Sequence, residues 1–443
     1  MKRADVTHNS ANLILGIGLG LTLGIFVTTS TSHDWVWPYP LILSISRIAA
    51  LVGTYFALVG MVMVSRIAWI EKAVGHDRLI LWHRKLGPYS LFLIGFHVLL
   101  VSLGYAGNDG SRVGGELWKF TWTYDWMLAA TVGFIFFVVA GLTSYKKVRK
   151  KMSYETWWTV HLYTYLGISL SFMHQIRTGP MFLTHAIYRY YWYGLYAIVG
   201  FIVLYWRFVI PVFRFYRHQL RIEKIVDEGA NMVSIVMTGR QLDRMKAWGG
   251  QFFAWRFLTP GHIWVSHPYS LSATPTSTEF RITVKNLGDG SGSVRHLQPG
   301  TRVFFEGPYG IFTAKTVTRG LGHVVLIGGG VGVAPLVALL DDFDDAVDID
   351  LLFRVSNEDE IILNRDLEAL ARRRGARVHY LVGSRKSHPM TAKDIMHYVP
   401  DFRYCDVYVC GPTPLVEAVR DATIACGIPK ERFHTEVFEF HAS

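Results

Sequence analysis

The chain has 443 residues, of which 51% are hydrophobic and 18% are charged, and its formal net charge is +11. The composition is divided, because apolar residues dominate the first half whereas charged residues and short alternating runs begin near residue 223. We therefore predict a membrane half followed by a soluble half. The basic residues of the first half gather in particular loops, which is typical of membrane topology, so we expect no nucleic-acid partner.

The three cysteines limit which haem, metal and disulfide sites the second half can contain. Cys405, Cys410 and Cys426 form neither a CxxC nor a CxxCH pattern. This excludes a covalently attached c-type haem, a zinc site of the usual spacing and a disulfide framework. We expect the soluble half to face a reducing cytoplasm. At the start of the chain, Lys2 and Arg3 precede an apolar run without an A-x-A site, which predicts a retained first helix.

Six apolar stretches have about the length that crosses a bilayer. They cover residues 11–29, 41–64, 80–103, 126–142, 156–172 and 191–212. Basic residues follow the second, fourth and sixth stretches, whereas the other loops are less basic and richer in Trp and Tyr. By the positive-inside rule, both termini and the soluble half are predicted to be cytoplasmic, in a multi-pass protein of the plasma (inner) membrane.

Two of the predicted helices carry a pair of histidines each. His83 and His97 are fourteen residues apart in the third stretch, which corresponds to about 21 Å along a helix and returns them to within about 40° of one face. His161 and His174 are thirteen residues apart in the fifth stretch. Both helices run outward, so we expect His83 to pair with His161 near the inner edge and His97 with His174 near the outer edge.

Such pairs predict two b-type haems, each held by two imidazoles. The alternative is four hydrogen-bonded core histidines, but ionisable groups inside a membrane are costly and usually functional. On an ideal helix His161 and His174 point about 140° apart, so we expect a distortion between them, for which Gly167 is the candidate. Arg47, early in the second helix, is expected to contact a propionate of the outer haem or to extend to the outer interface.

The period of the sequence changes after the membrane half. From residue 221 short alternating runs separated by Gly, Pro and Asp predict a small antiparallel β-barrel over residues 221–315. Over residues 316–443 strands, glycine turns and helices alternate, which predicts a doubly wound α/β nucleotide-binding domain with a parallel sheet. With a six-helix transmembrane bundle over residues 1–220, the predicted fold class is a multi-domain membrane protein.

A glycine-rich turn opens the predicted α/β domain. It consists of Gly328, Gly329, Gly330, Val331 and Gly332, directly after an apolar strand and before a helix. Glycines in this position let the backbone approach a pyrophosphate, whose charge is met by the free amides of the helix N-terminus. The turn therefore predicts a dinucleotide site.

Several motifs of the second half together resemble a known module. HPYSLSATP at residues 267–275, followed by GSGSVRHL, GPYG, GGGVGVAP and CGP, resembles the ferredoxin-reductase-type flavin and nicotinamide module. With the four histidines ahead of it, the whole chain is similar to a bacterial member of the NADPH oxidase and ferric reductase family. The resemblance implies an NAD(P)H-dependent oxidoreductase that binds FAD and two haem irons.

The resemblance also implies the flavin contacts. In the motif of His267, Pro268, Tyr269 and Ser270, the tyrosine would lie flat against the isoalloxazine, the serine near its reactive nitrogen, and the histidine towards the ribityl or phosphate. The alternative for this motif is an ordinary strand and turn. The FAD pyrophosphate would receive amides and a hydroxyl from three further residues, namely Ser291, Gly292 and Ser293.

For the nicotinamide, the resemblance places Cys410, Gly411 and Pro412 where the ring meets the flavin. Phe440 is similar to the family's C-terminal aromatic, which covers the flavin, although a strand-end core aromatic is the alternative. Ser270, Cys410 and Phe440 are thus the predicted catalytic residues.

Three residues bear on the choice between NADPH and NADH. One lies at the end of the second strand of the α/β domain, and two follow the third strand. Arg354, Ser384 and Arg385 are suited to a 2′-phosphate, which favours NADPH. The acidic Glu358 and Asp359 lie nearby, so NADH remains the alternative.

The resemblance implies transmembrane electron transport from cytosolic NADPH through FAD and two haems to an external acceptor. A haem with two imidazole ligands has no open coordination site, which suits dioxygen giving superoxide or a ferric chelate; a periplasmic protein or a quinone is a further alternative. Val101 stands one turn after His97, where the oxidase branch has a polar or basic group, and this departure weakens the superoxide interpretation. A hypothesis from another class is a haem-free, membrane-anchored flavin reductase.

Overall fold

The computed structural model describes residues 3–286, 292–318 and 320–437. The chain divides into two units, one ending at Ile210 and one beginning at Pro211. The first unit is helical. Its helices, with the one that leads into the second unit, are α1 (Arg3–Thr29), α2 (Tyr39–Met63), α3 (Ala68–Val74), α4 (His76–Asp109), α5 (Val113–Thr123), α6 (Met127–Ser144), α7 (Lys146–Arg149), α8 (Tyr154–Leu170), α9 (Phe172–Thr178), α10 (Pro180–Thr184), α11 (Ala186–Leu204) and α12 (Ile210–His218).

Five helical segments among the described residues are long and apolar enough to cross a membrane. They are Asn12–Thr29, Tyr39–Met63, Arg78–Asp109, Met127–Ser144 and Ala186–His218. These segments coincide with the first four predicted stretches and the sixth. The fifth stretch instead forms α8, of 17 residues, and the shorter α9, with Ser171 between them.

The break at Ser171 has a local cause. The Ser171 hydroxyl donates to the carbonyl oxygen of Gly167 at 2.8 Å, the same oxygen that accepts the Ser171 backbone N–H at 3.1 Å. Serine side chains that bond back to the preceding turn weaken and bend a helix. The distortion expected at Gly167 therefore lies four residues later, still between His161 and His174.

Glycines allow the helices of this unit to pack closely. A Cβ atom on Gly133 of α6 would lie 2.6 Å from the carbonyl oxygen of Gly167 on α8, and one on Gly167 would lie 2.8 Å from that of Gly133. Small residues at such crossings are common in membrane bundles. The structure thus gives Gly167 a packing role.

A hydrogen bond joins α2 and α4. The buried Ser90 hydroxyl donates to the carbonyl oxygen of Gly53 at 2.7 Å.

The second unit begins with two antiparallel three-stranded sheets. The strands are β1 (Arg221–Gly229), β2 (Met232–Thr238), β3 (Phe252–Phe257), β4 (His267–Ser270), β5 (Glu279–Lys285) and β6 (Val303–Tyr309). Their orders are β1-β2-β5 and β4-β3-β6, and two isolated bridges, Arg221 with Arg302 and Leu271 with Ile282, connect them. The sheets share an apolar core in which Trp255 is fully buried. The predicted strands are therefore present. They form two sheets joined by these two bridges in the described part of the chain, and closure into one barrel stays a prediction.

The rest of the second unit is an α/β domain. Its strands are β7 (His323–Gly329), β8 (Asp348–Val355), β9 (Arg377–Val382), β10 (Asp406–Gly411) and β11 (Phe433–Val437), and its helices are α13 (Val333–Leu340), α14 (Asn364–Arg374), α15 (Ala392–Tyr398) and α16 (Thr413–Ala425). The strands are parallel in the order β11-β10-β7-β8-β9. The parallel α/β sheet of the prediction is therefore present. Strand order reverses between β7 and β10, where open α/β sheets bind ligands.

A charge cluster around the buried Asp350 lies at the opposite, amino-terminal end of this sheet. Asp350 accepts hydrogen bonds from His323 at 2.7 Å, Arg377 at 2.8 Å and His379 at 3.1 Å. Burial alone would raise the pKa of Asp350, but the hydrogen bonds from these three partners outweigh it and lower the pKa. The hydrogen bond to Asp350 raises the pKa of His323. The cluster thus joins the first three strands of the domain.

Candidate functional site

The first predicted histidine pair comes together between α4 and α8. The ring centroids of His83 and His161 are 6.0 Å apart, with planes at 83°. Two imidazoles on opposite sides of one metal ion have centroids about 6 Å apart, taking about 2 Å for each metal–nitrogen bond and about 1 Å from nitrogen to ring centre. Nδ1 of His83 donates to the carbonyl oxygen of Gly60 on α2 at 3.0 Å. Because a carbonyl only accepts, Nε2 is left as the nitrogen with a lone pair.

The second histidine of α4 contacts α2 in the same way. Nδ1 of His97 lies 3.1 Å from the carbonyl oxygen of Ser46 and 2.8 Å from its hydroxyl oxygen. That hydroxyl donates to the carbonyl oxygen of His97 at 3.0 Å, so it accepts from Nδ1. Metal-ligating histidines usually donate their other ring N–H to a carbonyl or carboxylate. Both α4 histidines therefore have the tautomer that a ligand needs.

The histidines of α8 and α9 have different surroundings. His161 stacks on Trp157 at 5.2 Å, and its Nδ1 lies 3.4 Å from the hydroxyl of Ser144. Nδ1 of His174 is buried without a hydrogen bond of good geometry among the described residues, although the Ser171 backbone acts on this imidazole. The imidazole of His174 interacts electrostatically with that of His97, as His161 does with His83.

These donor pairs fit a haem rather than a bare metal ion. In the part of the chain that the structure describes, no group of three or more His, Cys, Asp or Glu side chains is placed to hold a metal ion. A porphyrin supplies four ligands itself and needs only two axial imidazoles. The residues present therefore fit two bis-histidine haems, and the ligand role of the four histidines stays a prediction.

Arg47 has a protein partner that the sequence analysis missed. Its guanidinium lies 3.1 Å from a carboxylate oxygen of Asp34, in a short 3₁₀ turn between α1 and α2. The backbone N–H and the hydroxyl of Thr31 also donate to this carboxylate, and the Thr31 backbone holds the pKa of Asp34 below its usual value. A propionate contact of Arg47 stays a prediction and would be shared with Asp34.

The predicted flavin motif forms β4, which pairs with β3. Alternate residues of a strand share a face, and accordingly the rings of His267 and Tyr269 stack at 5.6 Å with planes 11° apart. Both are buried, Pro268 is exposed, and burial raises the pKa of Tyr269. The hydroxyl of Ser270 is buried without a hydrogen-bond partner among the described residues. Such an orphaned hydroxyl fits a bound polar ring atom.

Two of the predicted site residues, Ser291 and Phe440, lie outside the described residues. Gly292 is the N-cap of the short 3₁₀ helix Ser293–His296. A Cβ atom on Gly292 would lie 2.8 Å from the side-chain oxygen of Asn286. The predicted pyrophosphate contacts of this segment stay a prediction.

The glycine-rich turn divides into packing glycines and one open glycine. Cβ atoms on Gly329 and Gly332 would lie 2.6 Å from Leu415 and 2.3 Å from the carbonyl oxygen of Cys410, and one on Gly328 would lie 3.1 Å from Leu336. Gly330 has φ of +55° and no heavy atom within 4 Å of its Cβ position. Of the four glycines expected to admit a pyrophosphate, Gly330 is therefore the one that faces open space.

The carboxyl end of β10 carries the predicted nicotinamide residues. Cys410 is fully buried, and burial raises the pKa of its thiol, which is therefore neutral. Gly411 ends β10, and Pro412 caps α16. On β11, Glu436 pairs with Cys410, and a Cβ atom on Gly310 would lie 3.4 Å from its carboxylate. The sequence analysis missed this carboxylate, whose only signal is an acidic residue within a buried strand.

Arg354 lies near the carboxyl end of β8 and Arg385 follows β9, close enough for their charges to interact. Burial, and secondly the charge of Arg385, lower the pKa of Arg354. Nε of Arg354 is buried and has no hydrogen-bond partner among the described residues. The hydroxyl of Ser384 accepts the backbone N–H groups of Lys386 and Ser387 at 3.2 and 3.3 Å. Two adjacent guanidinium groups form a site for an anion such as a phosphate.

Two family profiles match the chain. The family described as "Ferric reductase like transmembrane component" matches residues 49–172, a range that contains His83, His97 and His161. The family described as "Oxidoreductase NAD-binding domain" matches residues 326–421. Each profile coincides with one of the two halves that the composition predicts.

Curated relatives match the second half. The ferredoxin reductase component of 3-ketosteroid-9-alpha-monooxygenase from Rhodococcus rhodochrous is 28% identical over 230 residues, which are 49% of this chain and 64% of that protein. The glycine betaine monooxygenase reductase subunit of Chromohalobacter salexigens is 28% identical over 239 residues, or 50% and 64%. The chain therefore spans less than two thirds of the length of these relatives.

Among solved structures, the ferredoxin reductase of carbazole 1,9a-dioxygenase superposes with a TM-score of 0.42 at 16% identity, over 50% of this chain and 69% of that one. The profiles and the sequence relatives agree with the resemblance noted from the motifs. The chain thus joins a ferric-reductase-like transmembrane domain to a module similar to the FAD/NAD domains of ferredoxin reductases, as the resemblance of the motifs implies.

Proposed function

We propose that the protein carries electrons across the membrane, from cytosolic NADPH to an external acceptor, with FAD and two b-type haems as its bound redox groups. The observation that supports this most is the geometry of His83 and His161, whose rings lie 6.0 Å apart while Nδ1 of His83 donates to a backbone carbonyl. When bound, FAD takes up hydride and the haems pass on single electrons. The residues of this chain bind and orient these groups.

In the membrane unit, α2 orients the ligands of α4. The carbonyl oxygens of Gly60 and Ser46 hold a proton on Nδ1 of His83 and His97, and so direct Nε2 of each ring to the metal position. His161 and His174 would be the second protein ligand of each haem. The helix is interrupted at Ser171, between these two histidines. This interruption changes the relative direction of the two side chains, so that histidines thirteen residues apart can serve two haem sites.

We retain six membrane spans and the inward orientation of the soluble module. Residues 154–178, which form α8 and α9, extend over about 37 Å at about 1.5 Å per residue, enough to cross a hydrocarbon core of about 30 Å. The basic loops after the second, fourth and sixth spans favour cytoplasmic termini in the plasma (inner) membrane. The domain limits remain 1–220, 221–315 and 316–443, with the two small sheets as an FAD-binding barrel.

In the soluble unit, the residues divide into flavin and nicotinamide contacts. The buried Ser270 hydroxyl is available to donate to the flavin ring. The open backbone at Gly330 admits the pyrophosphate of the dinucleotide. The Arg354 and Arg385 pair binds the 2′-phosphate of NADPH, and NADH, which lacks this group, is the weaker donor. The neutral Cys410 thiol packs beside the nicotinamide.

For the acceptor we propose dioxygen. One NADPH then reduces two molecules of dioxygen to two superoxide ions and leaves NADP⁺ and one proton. A ferric chelate, a periplasmic protein or a quinone is the alternative acceptor. Val101, in place of a polar or basic residue one turn after His97, weakens the dioxygen interpretation but does not select among these alternatives.

The test is a reduced-minus-oxidised absorption spectrum of the detergent-purified protein with FAD and NADPH, first without air and then with air. We expect a b-type spectrum with two haems per chain, which returns to the oxidised form in air. His83→Ala and His97→Ala should each leave one haem. His185→Ala, which changes an exposed histidine of the same unit, should leave two.

The outcomes separate the alternatives. Reduction that persists in air would exclude dioxygen and favour a ferric, protein or quinone acceptor. Absence of haem from undegraded wild-type protein would overturn the electron-transfer proposal and leave a membrane-anchored flavin reductase.

A further inference from the structure

A charged side chain lies on the buried face of the last membrane-spanning helix. Val199 and Val203 of α11 are 4% and 8% exposed and belong to one apolar cluster with Ile168 of α8, against which Tyr165 also packs. Residues four apart share a face of a helix. Arg207 follows Val203 by four residues and thus continues this face towards α8.

An electrostatic contact agrees with this placement. The charge of Arg207 acts on the phenol of Tyr165, which agrees with a position of Arg207 on the side of α11 that faces α8. Arg207 itself is partly buried, whereas Leu204 and Phe208 beside it are 57% and 59% exposed, as expected for residues that face lipid. The charge is therefore directed into the helix bundle. Charged residues in membrane spans are costly and usually have a functional partner.

The backbone around Arg207 is unusual. Tyr205–Val209 forms one π-helical turn between α11 and α12. Single π turns within α-helices occur frequently at functional sites, because the extra residue changes which side chains face inward. Phe201 and Tyr205 stack at 5.6 Å on entry to this turn. The turn thus contains Arg207, which is the one charged residue between Arg189 and Arg214.

The level of Arg207 in the bundle points to a specific partner. Tyr165 follows His161 by four residues, so it lies one turn along the same face of α8. Arg207 therefore lies near the level of the His83 and His161 pair. Haem carries two propionates, and an arginine is well suited to a carboxylate because it binds with two parallel N–H groups.

We infer that Arg207 is a positioning residue that binds a propionate of the haem held by His83 and His161. This inference rests on the proposed function. Its positive charge stabilises the reduced haem, which carries one positive charge less than the oxidised haem, and so raises the reduction potential of that site.

The test is a potentiometric titration of haem absorbance in the full-length holoprotein, with the two haems assigned in His97→Ala, which retains only the haem of His83 and His161. Arg207→Gln should lower the potential of this haem and leave the other unchanged. Arg207→Lys should give an intermediate potential. Arg177→Gln, which removes an exposed charge from α9, should give wild-type potentials for both.

An unchanged potential of the His83 and His161 haem in Arg207→Gln, or an equal shift of both haems, would overturn the inference. If Arg207→Gln does not fold, Arg207→Lys decides: a lower potential of that one haem supports the inference, and a wild-type potential contradicts it. Wild-type protein without haem would instead overturn the proposed function, so the two failures are distinguishable.

Discussion

The close contact of Gly133 with Gly167 makes a single methyl group a strong perturbation. In Gly133→Ala the new Cβ atom would lie 2.6 Å from the carbonyl oxygen of Gly167, whereas real Cβ contacts are essentially never shorter than 3.0 Å. Helices α6 and α8 must therefore separate by at least 0.4 Å. Overpacking of this kind costs about 1 to 3 kcal/mol, and the obstacle is backbone that cannot rotate away.

The matched control is Gly200→Ala in α11. No heavy atom lies within 4 Å of the Cβ position of Gly200, and replacing a helical glycine by alanine gains about 0.5 to 1 kcal/mol. We expect the thermal midpoint of the purified protein to fall by roughly 2 to 12 °C in Gly133→Ala, at about 2 to 4 °C per kcal/mol, and not to fall in the control. Tryptophan fluorescence during heating in detergent measures both. Equal midpoints for the two variants would refute the close α6–α8 contact.

Two further predictions concern the soluble unit. Because the pKa of His323 is raised by its hydrogen bond to Asp350, its stabilising contribution is complete below the ordinary value of 6.5 and is lost as the pH rises through the folded pKa. The free energy of unfolding should thus decrease as the pH rises from about 6.5 through the raised pKa of His323, and His323→Asn should reduce this dependence in denaturant titrations; an unchanged slope would contradict the assignment. Removing a charge-assisted hydrogen bond costs about 1.5 to 3 kcal/mol, so Arg354→Ala should raise the KM for NADPH by roughly 10- to 100-fold while that for NADH stays nearly constant, as steady-state kinetics with both cofactors would show. A parallel rise for both cofactors would argue against a 2′-phosphate contact.

Secondary structure could be predicted from local sequence patterns wherever an element is determined by its own residues. The strands of the α/β sheet follow from apolar runs that end in glycine turns, such as β7, and the histidine positions follow from helical spacing. Partners distant in the sequence were not predictable. Asp34 beside Arg47, the Ser46 carbonyl beside His97 and Glu436 beside Cys410 each depend on how separate elements pack.

Gly167 illustrates a second limit of the sequence. A glycine between two ligands suggests a bend, but the same residue type also serves close helix packing, and only the neighbouring chain decides between them. In the structure the bend depends on Ser171, whose hydroxyl competes for the carbonyl oxygen of Gly167. A serine or threonine four residues after a glycine in a membrane helix is thus as informative as the glycine.

The two carbonyl contacts of α2 with the α4 histidines fix the distance between the histidines along the bundle. Ser46 and Gly60 are fourteen residues apart, as are His97 and His83, and the two helices run in opposite directions, so the contacts are in register at both ends. Since the acceptors belong to the backbone, no side-chain replacement on α2 deletes them. A one-residue insertion in either helix, however, would rotate one contact by about 100° while leaving the other in place. The separation of the two proposed redox sites is therefore specified twice, once along each helix.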